Sequence, residues 1–229
     1  MKKFVTCCAA LLIGATALLA QNPSDHSGQL SLSVQGGVLF SVNENHFTYF
    51  ENSKTMDLFN PQASVALGYD FSKVFGTRVQ VGFSKNAAAA NSRQTNGGGF
   101  YPYTFKSITA FADFVLNVSA LAEFDGPFCL KGYAGLGYGR SFDLTDSGHP
   151  WQGAYITDPN NVFGFRLGGI CEYNFSKGFG VFADLGGEAF TDKFNGLRPT
   201  EEDHSGREGY AGFPFDLRAT LSLGVVCHF

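Results

Sequence analysis

Residues 215–229 have the sequence FDLRATLSLGVVCHF, and this stretch decides the fold. Successive side chains of an extended strand point to opposite faces, so alternate positions share a surface. One face is apolar and consists of Phe215, Leu217, Ala219, Leu221, Leu223, Val225, Cys227 and Phe229. The other face is mostly polar. At about 3.3 Å per residue, such a strand is long enough to cross a membrane at a tilt. In water it would be an aggregation-prone open edge, so the pattern indicates a barrel in lipid.

The same alternation recurs in seven other segments. These lie near 30–42, 62–72, 78–84, 105–117, 128–142, 163–175 and 179–189. The connections near 73–76, 118–126 and 175–178 are short, whereas those near 43–61, 87–104, 143–160 and 191–212 are long. Outer-membrane barrels have an even number of strands, short periplasmic turns and long extracellular loops. We therefore predict an all-β fold, an eight-stranded antiparallel up-and-down transmembrane β-barrel over residues 29–229.

The beginning of the sequence predicts export. Two lysines precede an uncharged run of apolar and small residues, as in a secretory signal peptide. We expect residues 1–20 to be this peptide, cleaved after Ala20 or alternatively after Ala17, with residues 21–28 forming a periplasmic tail. An uncleaved anchor is less favoured because the run is short for a spanning helix. The predicted location is the cell outer membrane, which the chain would cross several times.

The composition also argues against an ordinary soluble domain and against a nucleic-acid partner. Charged residues make up 16% of the chain, which is low for a protein that must cover its surface in water. The net charge of -4 is weakly acidic, whereas nucleic-acid-binding domains carry basic patches. We therefore expect lipid, and not nucleic acid, around the protein.

Alternation alone does not decide which face points inward, because a soluble lipocalin-like barrel also alternates, with apolar residues inside. The polar faces here are rich in glycine and serine, which suit a narrow lumen. Aromatic residues also mark both ends of the apolar faces, as in the interfacial girdles of membrane barrels. At the loop end these are Phe40, Phe105, Phe163, Phe165 and Phe215, and at the turn end Tyr69, Phe71, Phe128, Tyr173, Phe175, Phe179 and Phe229.

The few charges on the polar faces can pair with one another. Hairpin geometry predicts that Arg166 lies opposite Glu188 and that Asp70 lies opposite Arg78. Arg218 has a similar depth and could also reach Glu188. Such structural pairs are typical of a dry lumen, where an unpaired charge is costly. Chance pairing on a wet surface is the alternative interpretation.

These features together resemble the small outer-membrane β-barrels of Gram-negative bacteria, of which the OmpA transmembrane region and OmpX are members. The stretch Gly135-Leu136-Gly137-Tyr138-Gly139 also resembles outer-membrane barrel proteins of the porin family in Bacteroidetes. The resemblance implies that the outer-membrane assembly machinery recognises the final strand. The residues that match this assembly signal are Phe229, Val225, Leu223 and Leu221, with Cys227 an unusual member.

The sequence predicts no catalytic residue, no metal site and no cofactor. A lipid-modifying enzyme would need a serine, a histidine and an acid held together near the outer rim. His46, His149 and His204 fall in predicted loops, and no His-x-Ser pair lies on a predicted strand. The acidic cluster at 201–203 is interpreted as a solvated loop tip in preference to a cation site.

We therefore expect a monomeric, non-enzymatic barrel with a structural or surface-interaction role. A narrow, low-conductance channel is the alternative, followed by a lipid-modifying enzyme and then by a soluble lipocalin-like binder. The expected partners are outer-membrane lipid, lipopolysaccharide and the assembly machinery. Aromatic residues of the predicted loops could bind an extracellular ligand. They are His46, Phe47, Tyr49, Phe50, Tyr101, Tyr103, Trp151 and Tyr155.

Overall fold

Eight antiparallel strands form a closed barrel in the order of the sequence. The strands are β1 (Gln29–Val42), β2 (Asn60–Asp70), β3 (Phe75–Ala90), β4 (Tyr101–Asn117), β5 (Phe128–Asp146), β6 (Asn160–Ser176), β7 (Phe179–Thr191) and β8 (Phe215–His228). A one-turn helix, α1 (Val118–Leu121), connects β4 to β5. The predicted all-β, eight-stranded antiparallel barrel is confirmed.

This computed structural model describes residues 27–42, 59–90, 101–124, 126–146, 159–191, 194–195 and 215–229. Within these ranges, no helix is long and apolar enough to cross a membrane. The predicted signal peptide, the acidic cluster at 201–203 and most of the predicted loop aromatics lie outside the described residues.

The barrel closes where β1 pairs with β8. Val34 lies opposite Val225 and Val38 lies opposite Leu221 in this ladder. At its end, the backbone amide of Phe229 donates to the carbonyl of Leu30 at 2.8 Å. Each of the eight described strands therefore has two hydrogen-bonded neighbours, which removes the open edge that a long apolar strand would otherwise present.

The apolar face of the strands points outward. Leu136, Phe163 and Leu223 are 75%, 73% and 70% exposed, whereas the alternate positions such as Arg166 and Arg218 are buried. This is the inverse of a soluble barrel, in which apolar residues fill the interior. The predicted lipid-facing arrangement of the two faces is therefore present in the structure.

Strands β3, β4 and β5 extend further toward the long connections than the alternation indicates. Residues 87–90 and 101–104, predicted as loop, pair with each other as the ends of β3 and β4. Alanine has a low strand propensity, and a run of four alanines shows no alternation of apolar and polar residues. The sequence pattern therefore does not identify this part of the strand. The backbone ladder nevertheless continues through it.

A β-bulge interrupts β5 near its loop end. The β4–β5 ladder shifts register between Thr104 and Lys106, and Asp143 adopts a positive φ of 58°. A bulge inserts an extra residue and re-aims the side chains that follow it. Here Leu144 packs against the buried aromatic side chains of the lumen, while Asp143 is exposed.

Local hydrogen bonds fix the short connections. In the β2–β3 turn, the hydroxyl of Ser72 accepts from the backbone amide of Phe75 at 2.9 Å. Asn117 caps α1, since its side-chain oxygen accepts from the amide of Ala120 at 3.0 Å. Serine and asparagine favour turns and helix caps for this reason, and these contacts set the register of the hairpins.

Candidate functional site

The lumen contains three layers of ionisable side chains, which we call the turn-end, central and loop-end tiers. The turn-end tier consists of Asp70, Lys131, Glu172 and His228. The central tier consists of Arg78, Asp113, Arg166 and Asp184. The loop-end tier consists of Glu188 and Arg218. Each tier combines cations with carboxylates from different strands, and all of these side chains except that of Asp70 are buried.

The central tier crosses the lumen. Asp113 accepts from Nε of Arg78 at 2.8 Å and from Nε of Arg166 at 2.7 Å. On the other side, Nη1 of Arg78 lies 3.4 Å from Asp184, which also accepts from the hydroxyl of Tyr133 at 2.8 Å. The guanidinium carbon of Arg78 lies 4.3 Å from the centre of the Tyr133 ring, within the range of a cation–π contact. Two arginines are thus balanced by two aspartates.

The loop-end tier is built around Arg218. Its Nε donates to Glu188 at 3.0 Å, and Nη2 donates to the same carboxylate. The remaining nitrogen, Nη1, contacts the hydroxyl of Ser84 at 3.1 Å and the side-chain oxygen of Asn86 at 3.2 Å. Glu188 also lies 4.0 Å from Nη1 of Arg166, which links this tier to the central one.

The turn-end tier borders a cavity. Lys131 contacts Glu172 at 3.0 Å and lies 3.9 Å from Asp70. Glu172 also contacts Nε2 of His228 at 3.1 Å, which ties the end of β8 to β6. The adjacent cavity is partly open, has a volume of about 50 Å³ and has these four residues and Arg78 of the central tier in its lining.

An aromatic plug fills the loop end of the lumen. It consists of Tyr103, Phe105, Phe111, Val162, Phe190 and Phe194. The rings of Phe190 and Phe194 stack with centroids 4.1 Å apart, and the hydroxyl of Tyr103 donates to the carbonyl of Asn195 at 2.8 Å. The Arg218 guanidinium lies 4.7 Å from the Phe190 ring, so the plug rests directly on the loop-end tier.

The structure places Glu188 between the two arginines that the sequence analysis assigns to it. Arg166 and Arg218 lie opposite Glu188 on the two neighbouring strands. The two contacts are unequal, since Arg218 binds the carboxylate directly whereas Arg166 lies 4.0 Å away and binds Asp113 instead. Arg218, predicted as a second neighbour of Glu188, is therefore its main partner.

The predicted pair of Asp70 with Arg78 is wrong. In the β2–β3 ladder Asp70 lies opposite Gly76, and Arg78 lies opposite Gly68. The tighter turn held by Ser72 shifts the register by two residues relative to the predicted hairpin. As a result Asp70 lies near Lys131 at the turn end, while Arg78 reaches into the central tier.

Two aromatic assignments are also wrong. Phe105 is predicted to face outward in the loop-end girdle, and Tyr103 is predicted to be an exposed loop residue. Both are 2% exposed, and the Phe105 ring packs edge-on against Phe194 with centroids 5.7 Å apart. Odd-numbered residues of β4 face the lumen, so strict alternation from Ile108 would have placed both rings inside.

Sequence reasoning missed Asp113, Asp184, Lys131 and Glu172 as members of the network. All four lie on the polar faces, which is the only signal that the sequence offers. Arg78–Asp113 and Lys131–Glu172 join neighbouring strands, whereas the Asp113–Arg166 pair joins β4 to the non-adjacent β6, and its members are 53 residues apart. Such pairs depend on the relative stagger of all strands around the barrel, which a hairpin argument does not determine.

No protein-family model matches this sequence, and no curated protein is detectably similar to it. Solved structures share its architecture. The outer membrane protein OprG from Pseudomonas aeruginosa matches with a TM-score of 0.55 at 10% identity, over 91% of this chain and 99% of that chain. A major outer membrane protein from Thermus thermophilus matches with a TM-score of 0.52 at 19% identity, over 87% of this chain and 99% of that chain.

The chain has the fold of an outer-membrane β-barrel. At such low identity the likeness concerns the fold alone, because one fold supports many functions. The role of this outer-membrane-type barrel therefore depends on its own lumen and its own outer surface.

Proposed function

We propose that this protein is a monomeric, non-enzymatic barrel of the outer membrane with a structural or surface-interaction role. The observation that carries the proposal is the combination of an apolar outer face with a lumen filled by ion pairs and an aromatic plug. A strand-spanning apolar surface is unfavourable in water and favourable in lipid. The buried charges of the lumen are paired with opposite charges, which is the arrangement expected for charged side chains held away from water.

The lumen contents argue against bulk transport. Eight strands enclose a space that side chains alone can fill. Here the central tier crosses that space, and the aromatic plug lies beyond it toward the loops. The central tier consists of side chains from the barrel wall, and the plug adds Phe194, which lies beyond the end of β7.

A narrow channel of low conductance is the second candidate. The partly open cavity beside the turn-end tier favours it, because space lined in part by charged side chains already exists in one part of the lumen. A path for ions would still require the contacts of Arg78 with Asp113 and Asp184 to rearrange. Any conductance should therefore be small and intermittent.

Gel migration and bilayer recording test the proposal together. A barrel that is stable in lipid stays folded in cold SDS and changes mobility only after boiling, and it should leave the cell membrane only with detergent. In a planar bilayer the purified protein should give no sustained current. Recovery in a soluble fraction without a mobility shift would overturn the membrane assignment, and steady current would establish the channel instead. Altered lipid A in cells that carry the gene would favour an enzyme.

We further propose that the assembly machinery recognises β8 through the outward-facing residues Leu221, Leu223, Val225 and Phe229. All four are exposed, and together with the half-buried Cys227 they occupy successive alternate positions of one apolar row. Phe229→Ala should lower the amount of folded barrel in the outer membrane several-fold. Phe175→Ala is the matched control, because it removes an exposed aromatic ring near the same end from a different strand. Equal losses in both variants would show that a general girdle effect, and not recognition of β8, is involved.

A further inference from the structure

Among the described strand residues, the outward-facing charges lie on one side of the barrel. Among the strand residues whose side chains the structure describes, the exposed charged ones are Lys85 on β3, Lys106 on β4, and Arg140 and Asp143 on β5. We call the three cations the outer cation cluster. The described outward positions of β1, β2, β6, β7 and β8 are uncharged.

The outer cation cluster lies at the boundary of the apolar surface. Lys85 comes two positions after Phe83, and Lys106 comes two positions before Ile108, which lies opposite Phe83. Phe83 and Ile108 are exposed, and from them to the short turns the outward face of β3 and β4 has no charge. The cluster is on the side of the long connections, which face outside the cell in barrels of this type. In an outer-membrane barrel this boundary corresponds to the head-group level of the outer leaflet.

The register brings the three cations together. Lys85 and Lys106 lie directly opposite each other, so their Cβ atoms are about 5 Å apart. Arg140 lies opposite Ile108, which places it diagonally across from Lys106 at roughly 7–8 Å. Like charges that face each other directly are destabilising unless an anion lies between them.

The carboxylate in this region satisfies only part of the cluster. Asp143 lies 2.5 Å from Nζ of Lys106, and both side chains are about half exposed. Lys85 and Arg140 make no ion pair or hydrogen bond with any residue that the structure describes. Two of the three cations are thus available to an external anion.

We propose that the outer cation cluster binds the phosphate groups of lipopolysaccharide in the outer leaflet, a proposal that rests on the proposed outer-membrane function. Phosphate accepts paired hydrogen bonds from the arginine fork, and lysine adds a mobile point charge. The acyl chains of the same molecule would lie along Phe83, Ile108 and Tyr138, which are exposed beside the cluster. A phosphorylated glycolipid therefore matches both the charge and the adjoining apolar surface.

The test uses the full chain folded in detergent, with lipid binding measured by native mass spectrometry. The probes are diphosphoryl lipid A, monophosphoryl lipid A, phosphatidylglycerol and inorganic phosphate. The double variant Lys85→Gln/Arg140→Gln should lower affinity for diphosphoryl lipid A by about tenfold or more, since each lost contact to phosphate is charge-assisted. Monophosphoryl lipid A should be less affected.

Two matched variants serve as controls. Lys73→Gln/Lys177→Gln removes two cations at the short turns, on the opposite end of the barrel, and should leave lipid A binding unchanged. Lys85→Arg/Arg140→Lys keeps the charge and should retain binding. Equal binding by the two glutamine variants would overturn the proposal. So would equal affinity for phosphatidylglycerol, which would indicate a general anionic-lipid surface, or full competition by inorganic phosphate, which would indicate a simple anion site.

The mobility shift of each variant on boiling is recorded in the same samples. A wild-type barrel that shows no shift would contradict the proposed function itself. A normal shift together with unselective lipid binding would contradict only the lipopolysaccharide site.

Discussion

The cations inside the barrel differ from those outside it in how they are neutralised. In the lumen, Arg78, Lys131, Arg166 and Arg218 each contact a carboxylate within hydrogen-bonding distance. In the outer cation cluster, Lys106 alone has such a partner among the described residues. The difference follows from solvation: a dry lumen makes an unpaired charge costly, whereas water and lipid head groups can neutralise an outer cation. Inside, charge holds the strands together, and outside it is available for binding.

The largest expected difference is between removing a carboxylate from the lumen and removing one from the outer face. Asp113→Asn should lower the free energy of unfolding by about 3–5 kcal/mol, because two buried arginines lose their shared counter-charge. Asp143→Asn should cost at most about 1 kcal/mol, because its pair with Lys106 is half exposed. Urea titration of the folded barrel in lipid vesicles measures both. Similar losses for the two variants would show that the lumen is wetter than its ion pairs suggest.

Two glycines, one facing the lumen and one facing outward, extend the comparison of inner and outer faces to side-chain packing. A methyl group on Gly137 would collide with the ring of Phe111 and with the carbonyl of Ala110, so Gly137→Ala should destabilise the barrel by about 1–3 kcal/mol. A methyl group on outward-facing Gly187 would meet no atom within 4 Å, so Gly187→Ala should be neutral or slightly stabilising. Unfolding in vesicles again provides the measurement. If Gly137→Ala is tolerated as well as Gly187→Ala, the lumen wall must be free to move away from the plug.

The extent to which the sequence predicts this network depends on how far a contact reaches around the barrel. The contact of Arg218 with Glu188 is within reach of the prediction, because both residues lie on adjacent strands at matching depth. The error on Asp70 arises because a hairpin register depends on the turn, and a shift of two residues keeps the same face while changing every partner. The Asp113–Arg166 contact spans non-adjacent strands, so it is fixed only when the stagger of the closed barrel is known.

Only part of the aromatic plug can be predicted from the alternation of the strands. Phe111 could be assigned to the lumen because it falls among polar residues on the same face of a clearly alternating strand. Phe190 and Phe194 lie at and beyond the end of β7, where alternation ceases to give information. Aromatic residues occur both at lipid interfaces and in packed interiors, so residue type alone does not distinguish the two sites.

The smallest expected effect is that of Lys85→Gln, which should change from stabilising to destabilising when lipid A is present. In vesicles of phosphatidylcholine, Lys85→Gln should stabilise the barrel by about 0.2–1 kcal/mol, because it removes the repulsion of the directly opposed Lys106. When lipid A is added, the same substitution should become destabilising relative to the wild type, since a bound phosphate that stabilises the folded state is lost. Lys177→Gln, in the turn between β6 and β7, should show no such reversal. If Lys85→Gln changes the free energy of unfolding in the same direction in both lipids, the outer cations are neutralised by something other than a phosphorylated glycolipid. The contrast between inner and outer charge would then concern stability alone.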